Sequence, residues 1–253
     1  MRVFLDVGAH EGETLRAVVD PRYGFHRIVC FEPVASSRRT LEGLRQDRVA
    51  VMPFGLSNTS GRRLIYDPGS VGASVYADKQ GTDRSEPADF VRATDWIRQN
   101  IGPEDVVFLK LNCEGSECDI LDDLLDSGEI KRMHRVLVHF DVRKIPSQRH
   151  REAEVRARLD AAGIPYDVAD EVMVGPSHVA RIQRFLAAAG ADQITALGPI
   201  HRLRSRIRQV RHRDIPRAVQ RLRLGHLLQR VLPRSVYEGL RGWLYPEARE
   251  RPR

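Results

Sequence analysis

"FLDVGAHEGETL", residues 4–15, and "RIVCFEP", residues 27–33, together decide the fold. The first begins inside an apolar run, Arg2 to Val7, that reads as a buried strand. It turns at Gly8 and Gly12 into Glu13 to Val19, where Leu15, Val18 and Val19 have helical spacing. The second is a continuous apolar strand stopped by Pro33. Strand, glycine turn, helix and strand open a parallel α/β sheet, whose strands are apolar throughout because both faces are covered.

The alternation continues outward. Ser36 and Ser37 are expected to cap a helix running through Leu41 and Leu44, and "VAVMPF", 49–54, reads as a third strand leading into the turn-rich "GLSNTSG", 55–61. "RRLIYDP" is a short strand, whereas "GSVGASVYADKQGTDRSEPAD" reads as a long loop, placed to act as a lid over a ligand. A helix from about Asp95 precedes a fourth strand at 105–112. A helix around Ile120 to Leu125 then leads to a fifth strand, "RVLVHFDV", at 135–142. Residues 151–162 are helical, and "IPYDVADEVMV", 164–174, supplies a final antiparallel pair. The expected sheet is thus Rossmann-like, mostly parallel and seven-stranded, with helices on both faces and a domain spanning 1–176.

Residues 177–253 read as a second, helical extension, with apolar stripes at 178–189, 200–212, 215–231 and 235–244. Residues 181–253 hold 17 Arg against 5 acids, and no Lys; since the whole chain is only +7, the rest is net acidic. An Arg-rich amphipathic segment suits an anionic membrane surface or the acidic body of its own protein, within one chain or between subunits of a homo-oligomer. Trp243 and Tyr245 beside Leu240 and Leu244 favour a membrane interface, whereas few aromatics and no motif argue against nucleic acid. No apolar run reaches eighteen residues, and Cys30, Cys113 and Cys118 lack metal-site spacing. The expected location is therefore cytoplasmic, with peripheral attachment to the inner membrane face as its extension.

In an open α/β sheet the ligand sits beyond the carboxyl ends of the strands, so the residues just after each strand carry the chemistry. Gly8 and Gly12 allow close backbone approach. Glu32, twenty residues after Gly12, stands where a carboxylate accepts both ribose hydroxyls. A dinucleotide wants G-x-G-x-x-G for its pyrophosphate, but here His10 replaces the middle glycine and Glu11 is acidic. Such a turn suits a cationic ligand, with Asp6 or Glu11 near its amino group or sulfonium, and so favours S-adenosylmethionine over NAD. At the end of the fourth strand, Lys110, Asn112 and Glu114 are charged or polar residues closing an apolar run.

"FLDVGAHEGETL", "VCFEP", "GLSNTSG", "ATDWI" and "FLKLNCEGSECDIL", in this order, resemble the FkbM-type methyltransferases, a branch of the class I S-adenosylmethionine-dependent enzymes, over about residues 3–145. The resemblance implies O-methylation of a hydroxyl on a sugar, glycolipid or polyketide-type natural product. By position it implies that Asp6 to Gly12, with Ala9, His10 and Glu11 between, hold the methionine moiety, Glu32 the ribose, and Gly55, Leu56, Ser57 and Asn58 the adenine edge. Thr14, Pro33 and Asn112 complete the implied cofactor shell. Family members often carry Asp where this chain has Asn112. The chain starts directly at its first strand, so a C-terminal helix or a second subunit is expected to cover the cofactor.

His139, near the end of the fifth strand, is the first candidate for the base that takes the hydroxyl proton, because neutral imidazole is available near neutral pH. Glu114 is the second, with Lys110 holding either the carboxylate or the substrate. Asn112, Glu114 and Asp141 offer hard oxygens for Mg²⁺, but without the spacing of a ligand set, so no metal is expected. Two other functions remain open: a nucleotide-dependent oxidoreductase, and a non-catalytic scaffold that keeps the fold.

Overall fold

The computed structural model describes residues 1–79 and 83–191. The helices expected at 200–212, 215–231 and 235–244, with Trp243 and Tyr245, lie outside the described residues.

The central sheet has six strands: β1 (Arg2–Val7), β2 (Arg27–Phe31), β3 (Val49–Met52), β7 (Val106–Leu111), β8 (Met133–Val138) and β9 (Tyr166–Val168). Their order is β3-β2-β1-β7-β8-β9, and every pairing is parallel. The chain builds outward from β1 to one edge, then returns to β1 and builds toward the other. The topological switch point lies between β1 and β7.

Strand alternation divides the core. Val3, Leu5, Val7, Val29, Phe31, Val107, Leu109, Leu111, Val136 and Val138 point to one face. There they meet α3 (Ala93–Asn100), α4 (Glu117–Ser127) and α5 (Arg151–Ala161) through Trp96, Ile97, Ile120, Leu121, Leu124, Val155 and Leu159. Phe4, Ile28, Cys30, Phe108 and Leu137 point to the other face. This second face is covered by α1 (Leu15–Val18), α2 (Ala35–Glu42) and α7 (His178–Ala188) through Leu15, Val18, Leu41, Ile182, Phe185 and Leu186. Two-sided burial explains why the strands read as unbroken apolar runs.

Three expectations are corrected. The antiparallel pair at 164–174 is replaced by the single parallel strand β9 followed by a one-turn helix, α6 (Ala169–Val172). A tight hairpin needs Gly or Asn in left-handed backbone, and Val168-Ala169-Asp170-Glu171 has neither. The count is therefore six strands rather than seven. Secondly, Ser85–Arg92 is not loop but strand β6, antiparallel to β5 (Gly61–Tyr66) and parallel to β4 (Gly55–Ser57) in a separate three-stranded sheet. Thirdly, the sheet body does not end at 176. Helix α7 closes the second face, and the Arg2 guanidinium, stacked on Phe25 and Phe108, donates to the Ala191 carbonyl at 2.8 Å. The start of the expected extension, residues 177–191, thus packs into the body.

Smaller shifts follow from local geometry. Helix α2 starts after Val34, with neither Ser36 nor Ser37 capping it; the Val34 N–H instead donates to Glu32 Oε1 at 2.9 Å. Strand β8 stops at Val138, so His139 and Asp141 lie beyond it. Among the described residues no helix is long and apolar enough to cross a membrane.

Candidate functional site

A pocket opens beyond the carboxyl ends of β1, β2 and β7, with the loop after β5 across it. Its floor is the β1 turn. Gly8 has φ +75°, its N–H and that of Ala9 both donate to the Phe31 carbonyl at 3.2 Å, and a Cβ at Gly8 would lie 1.9 Å from the Asn112 carbonyl oxygen. Only glycine lets the β1 and β7 turns meet this closely. His10 follows in left-handed backbone, φ 48°, which turns its N–H onto Glu32 Oε2 at 2.8 Å.

Glu32 therefore stands in the pocket with each carboxylate oxygen held by one backbone N–H, from His10 and from Val34. Burial pushes its pKa up, and these two N–H groups, together with the nearby His10 and Lys110, oppose that. A carboxylate has about four acceptor positions, so two remain for a ligand's hydroxyls.

Behind the turn lies a buried ion pair. Asp6 and Lys110 are register partners on β1 and β7 and point to the same face. Lys110 Nζ is 2.9 Å from Asp6 Oδ1 and donates to the Gly8 carbonyl at 2.9 Å. Burial raises the Asp6 pKa, with Lys110 opposing it. Lys110 is thus committed to holding the turn.

The third wall is the segment after β7. Glu114 has left-handed backbone, φ 53°, a conformation disfavoured for a residue with a side chain. It is held by an ion pair with Lys79 and by Ser74 Oγ, which donates to the Glu114 carbonyl at 2.7 Å. Burial and the neighbouring Asp141 raise its pKa, and Lys79 opposes them. The fully buried Glu117 carboxylate accepts the Cys113 and Gly115 N–H groups at 2.9 and 3.0 Å, fixing the turn from below.

Of the residues expected in the site, Gly8, Ala9, His10, Thr14, Glu32, Pro33, Gly55, Leu56, Lys110, Asn112 and Glu114 line this pocket. Asp6 lies behind it, and Glu11 is exposed. Gly12 serves packing, since a Cβ there would meet Leu44 and Leu41 at 2.7 and 3.0 Å. Ser57 and Asn58 bond to each other, and Asn58 also accepts from Arg63, so they stand outside the lining. His139 is outside it too: its N–H donates to the Leu111 carbonyl, its Nδ1 is 4.0 Å from Asp170, and burial lowers its pKa. Glu114 and Asp141 are paired with Lys79 and Lys144, so neither carboxylate is free for a shared cation with Asn112.

Sequence reading missed the apolar wall of Phe31, Ile65, Val71, Val75 and Phe90, and the polar residues Glu13, Ser70, Ser74, Ser116 and His178. Gly55 makes room for Phe90, whose ring a Cβ there would approach to 2.5 Å. That small residue before "LSN" was the one available signal.

The family model of the methyltransferase FkbM domain matches residues 6–166. This chain belongs to the FkbM methyltransferase family. The crystal structure of methyltransferase FkbM from Methylobacillus flagellatus KT is similar to it at 16% sequence identity, covering 65% of this chain and 38% of that one, with a TM-score of 0.42. The chain thus spans well under half the length of that relative. No curated protein matches the chain. The FkbM match runs from the end of β1 to the start of β9 and includes the glycine turn, Glu32 and the segment after β7; α7, with His178, lies beyond it.

Three polar atoms of this FkbM-family pocket are buried without a hydrogen-bond partner among the described residues: His10 Nε2, Asn112 Oδ1 and Ser70 Oγ. An unmet buried polar group is costly, so all three suit a polar ligand seated against the apolar wall.

Proposed function

We propose that the protein binds S-adenosylmethionine in this pocket and methylates a hydroxyl of a sugar, glycolipid or polyketide-type acceptor. The observation that carries the reading is Glu32: a buried carboxylate at the end of β2, oriented by two backbone N–H groups, with acceptor positions left for a ribose. The three unpartnered polar atoms and the apolar wall fit the rest of a nucleoside cofactor. Bound there, S-adenosylmethionine supplies an electrophilic methyl group.

The residues of the chain do the positioning. Gly8 brings the backbone against the ligand, and the Asp6–Lys110 pair keeps that turn fixed. Such rigidity is what an in-line transfer requires, because alignment is most of the catalysis. Glu114 lines the pocket in its ion pair with Lys79, and is the carboxylate we propose to take the acceptor's proton, with Lys79 holding it in the charged form that can accept one. A dinucleotide fits less well, since Lys110 is occupied by Asp6 and Glu13 stands beside the turn.

Calorimetric titration with S-adenosylhomocysteine and with NAD tests this. Micromolar binding of the former and none of the latter is expected, with Glu32→Ala weakening the former by about tenfold or more, the loss of a charge-assisted bond. Binding of NAD alone, or an unaffected Glu32→Ala, would overturn the reading.

A further inference from the structure

We propose that His178, at the start of α7, holds the α-carboxylate of the cofactor's amino-acid half and shares that task with Thr14. This rests on the S-adenosylmethionine reading above and adds a residue outside the matched residues 6–166.

Helix α7 is docked on α1 through Ile182, Phe185 and Leu186 against Leu15, Ala17 and Val18, all buried. That docking carries its first residue to the pocket, where His178 Nε2 is 3.0 Å from Thr14 Oγ1 across 164 residues of sequence. Thr14 is itself 2% exposed and lines the same pocket. A hydroxyl and an imidazole, already bonded to each other and both facing the cavity, form a two-point anion cradle.

The choice of His178 follows from the partners of the alternatives. Among the described residues lining the pocket, three carry a basic group: His10, Lys110 and His178. Lys110 is committed to Asp6 and to the Gly8 carbonyl. His10 Nδ1 is bonded to the Glu13 carboxylate at 2.9 Å, which leaves Nε2 for a polar group of the ligand but sets an acidic partner against any charge on the ring. His178 alone is bonded to a neutral group, and can add a charge when an anion arrives.

The groups that set its charge are on several elements. Burial, Lys110 on β7 and Arg181 on its own helix disfavour the protonated ring, while Asp6 on β1 and Glu13 before α1 favour it. His139, after β8, also senses it. The free ring is therefore neutral around pH 7, and a bound carboxylate draws a proton onto it. The sign follows: affinity for an amino-acid-bearing nucleoside rises as pH falls, with net proton uptake on binding.

Two nucleosides separate this from a general effect on the pocket. S-adenosylhomocysteine carries the amino-acid half, and 5′-methylthioadenosine lacks it. Calorimetry from pH 6 to 8, in buffers of different ionisation enthalpy, is expected to show proton uptake for the first alone. His178→Ala should weaken S-adenosylhomocysteine about tenfold at pH 6.5 and leave 5′-methylthioadenosine unchanged. His178→Gln, which keeps a bond to Thr14 but takes no charge, should abolish the pH dependence. Unchanged binding and pH profile in both variants overturns the proposal, as does equal weakening of both nucleosides, which would mark a role in seating α7 only. If the unmodified protein binds neither nucleoside, the S-adenosylmethionine reading falls and this one with it.

Discussion

At the scale of single residues, Gly8 and Glu117 set the two turns beside the site by different means, close packing and a buried carboxyl. A methyl group at Gly8 meets the Asn112 carbonyl carbon at 2.8 Å as well as its oxygen at 1.9 Å, and φ is +75°. Gly8→Ala must therefore separate the β1 and β7 turns, at a cost of about 2–4 kcal/mol. Urea denaturation checks it, and a change below about 1 kcal/mol would mean that the turns can part freely. Glu117 offers a pH test. Burial, reinforced by Asp141, pushes its pKa up to about 8 against the opposing N–H bonds, from 4.5 when unfolded. The folded state then holds the proton more tightly, so nothing is lost below pH 4.5, and stability falls as pH rises from there through about 8. His139 and His178, both lowered by burial, act in the opposite sense, destabilising at acid pH and fading above their unfolded value of 6.5. The Glu117 contribution is thus clearest between pH 6.5 and 8. Over that window the stability of the unmodified protein should decline relative to Glu117→Gln, which has no charge to bury. Parallel stability curves would reject the assignment.

Among elements, helix α7 is the one whose role differs most from its reading in sequence. Phe185 is 2% exposed and sits with Phe4, Phe25 and Phe108 in the core of the second face. Phe185→Ala should cost about 3–5 kcal/mol and lower the single cooperative melting transition. If α7 were an appendage, that transition would not move. Five strands of the central sheet, β1, β2, β3, β7 and β8, were legible as apolar runs, whereas β9, in which only Val168 is buried, was not. Strand β6 was not legible, because only Ala88 and Phe90 of "SEPADFVR" are buried, and its pairing with β5 is set by a loop too long to read. The same contrast holds in the site. Gly8 and Glu32 follow their strands directly and Glu114 comes three residues after β7, so position along the chain announces them. His178 reaches the pocket only through tertiary docking, and no local pattern marks it. His139 immediately follows β8, which stops at Val138, yet stands outside the pocket lining.

For the whole molecule, charge is divided along the chain. Residues 192–253 hold 15 Arg against 5 acids and no Lys, so with a total of +7 the preceding residues are net acidic. They lie outside the described residues, and the sequence alone argues their role. Arginines spaced between Ile, Leu and Val, with Trp243 and Tyr245 near the end, combine the two features that hold a segment at an anionic bilayer surface: attraction to acidic headgroups, about 1 kcal/mol per basic residue, and aromatic side chains that prefer the interface. We propose that this segment brings the protein to an anionic membrane, where a glycolipid acceptor would present its hydroxyls. A form ending at Ala191 is the right comparison, because it keeps α7 and the Arg2 bond to the Ala191 carbonyl. Co-sedimentation with vesicles of phosphatidylglycerol and phosphatidylcholine is expected to pellet the full chain and leave the shortened form in solution. Raising the salt should weaken the binding, since exposed charges are screened over about 8 Å at 0.15 M and about 3 Å at 1 M. Vesicles of phosphatidylcholine alone should bind neither. Equal pelleting of both forms would reject the membrane role. The shortened form is expected still to bind S-adenosylhomocysteine, because among the described residues every one lining the pocket lies at or before His178.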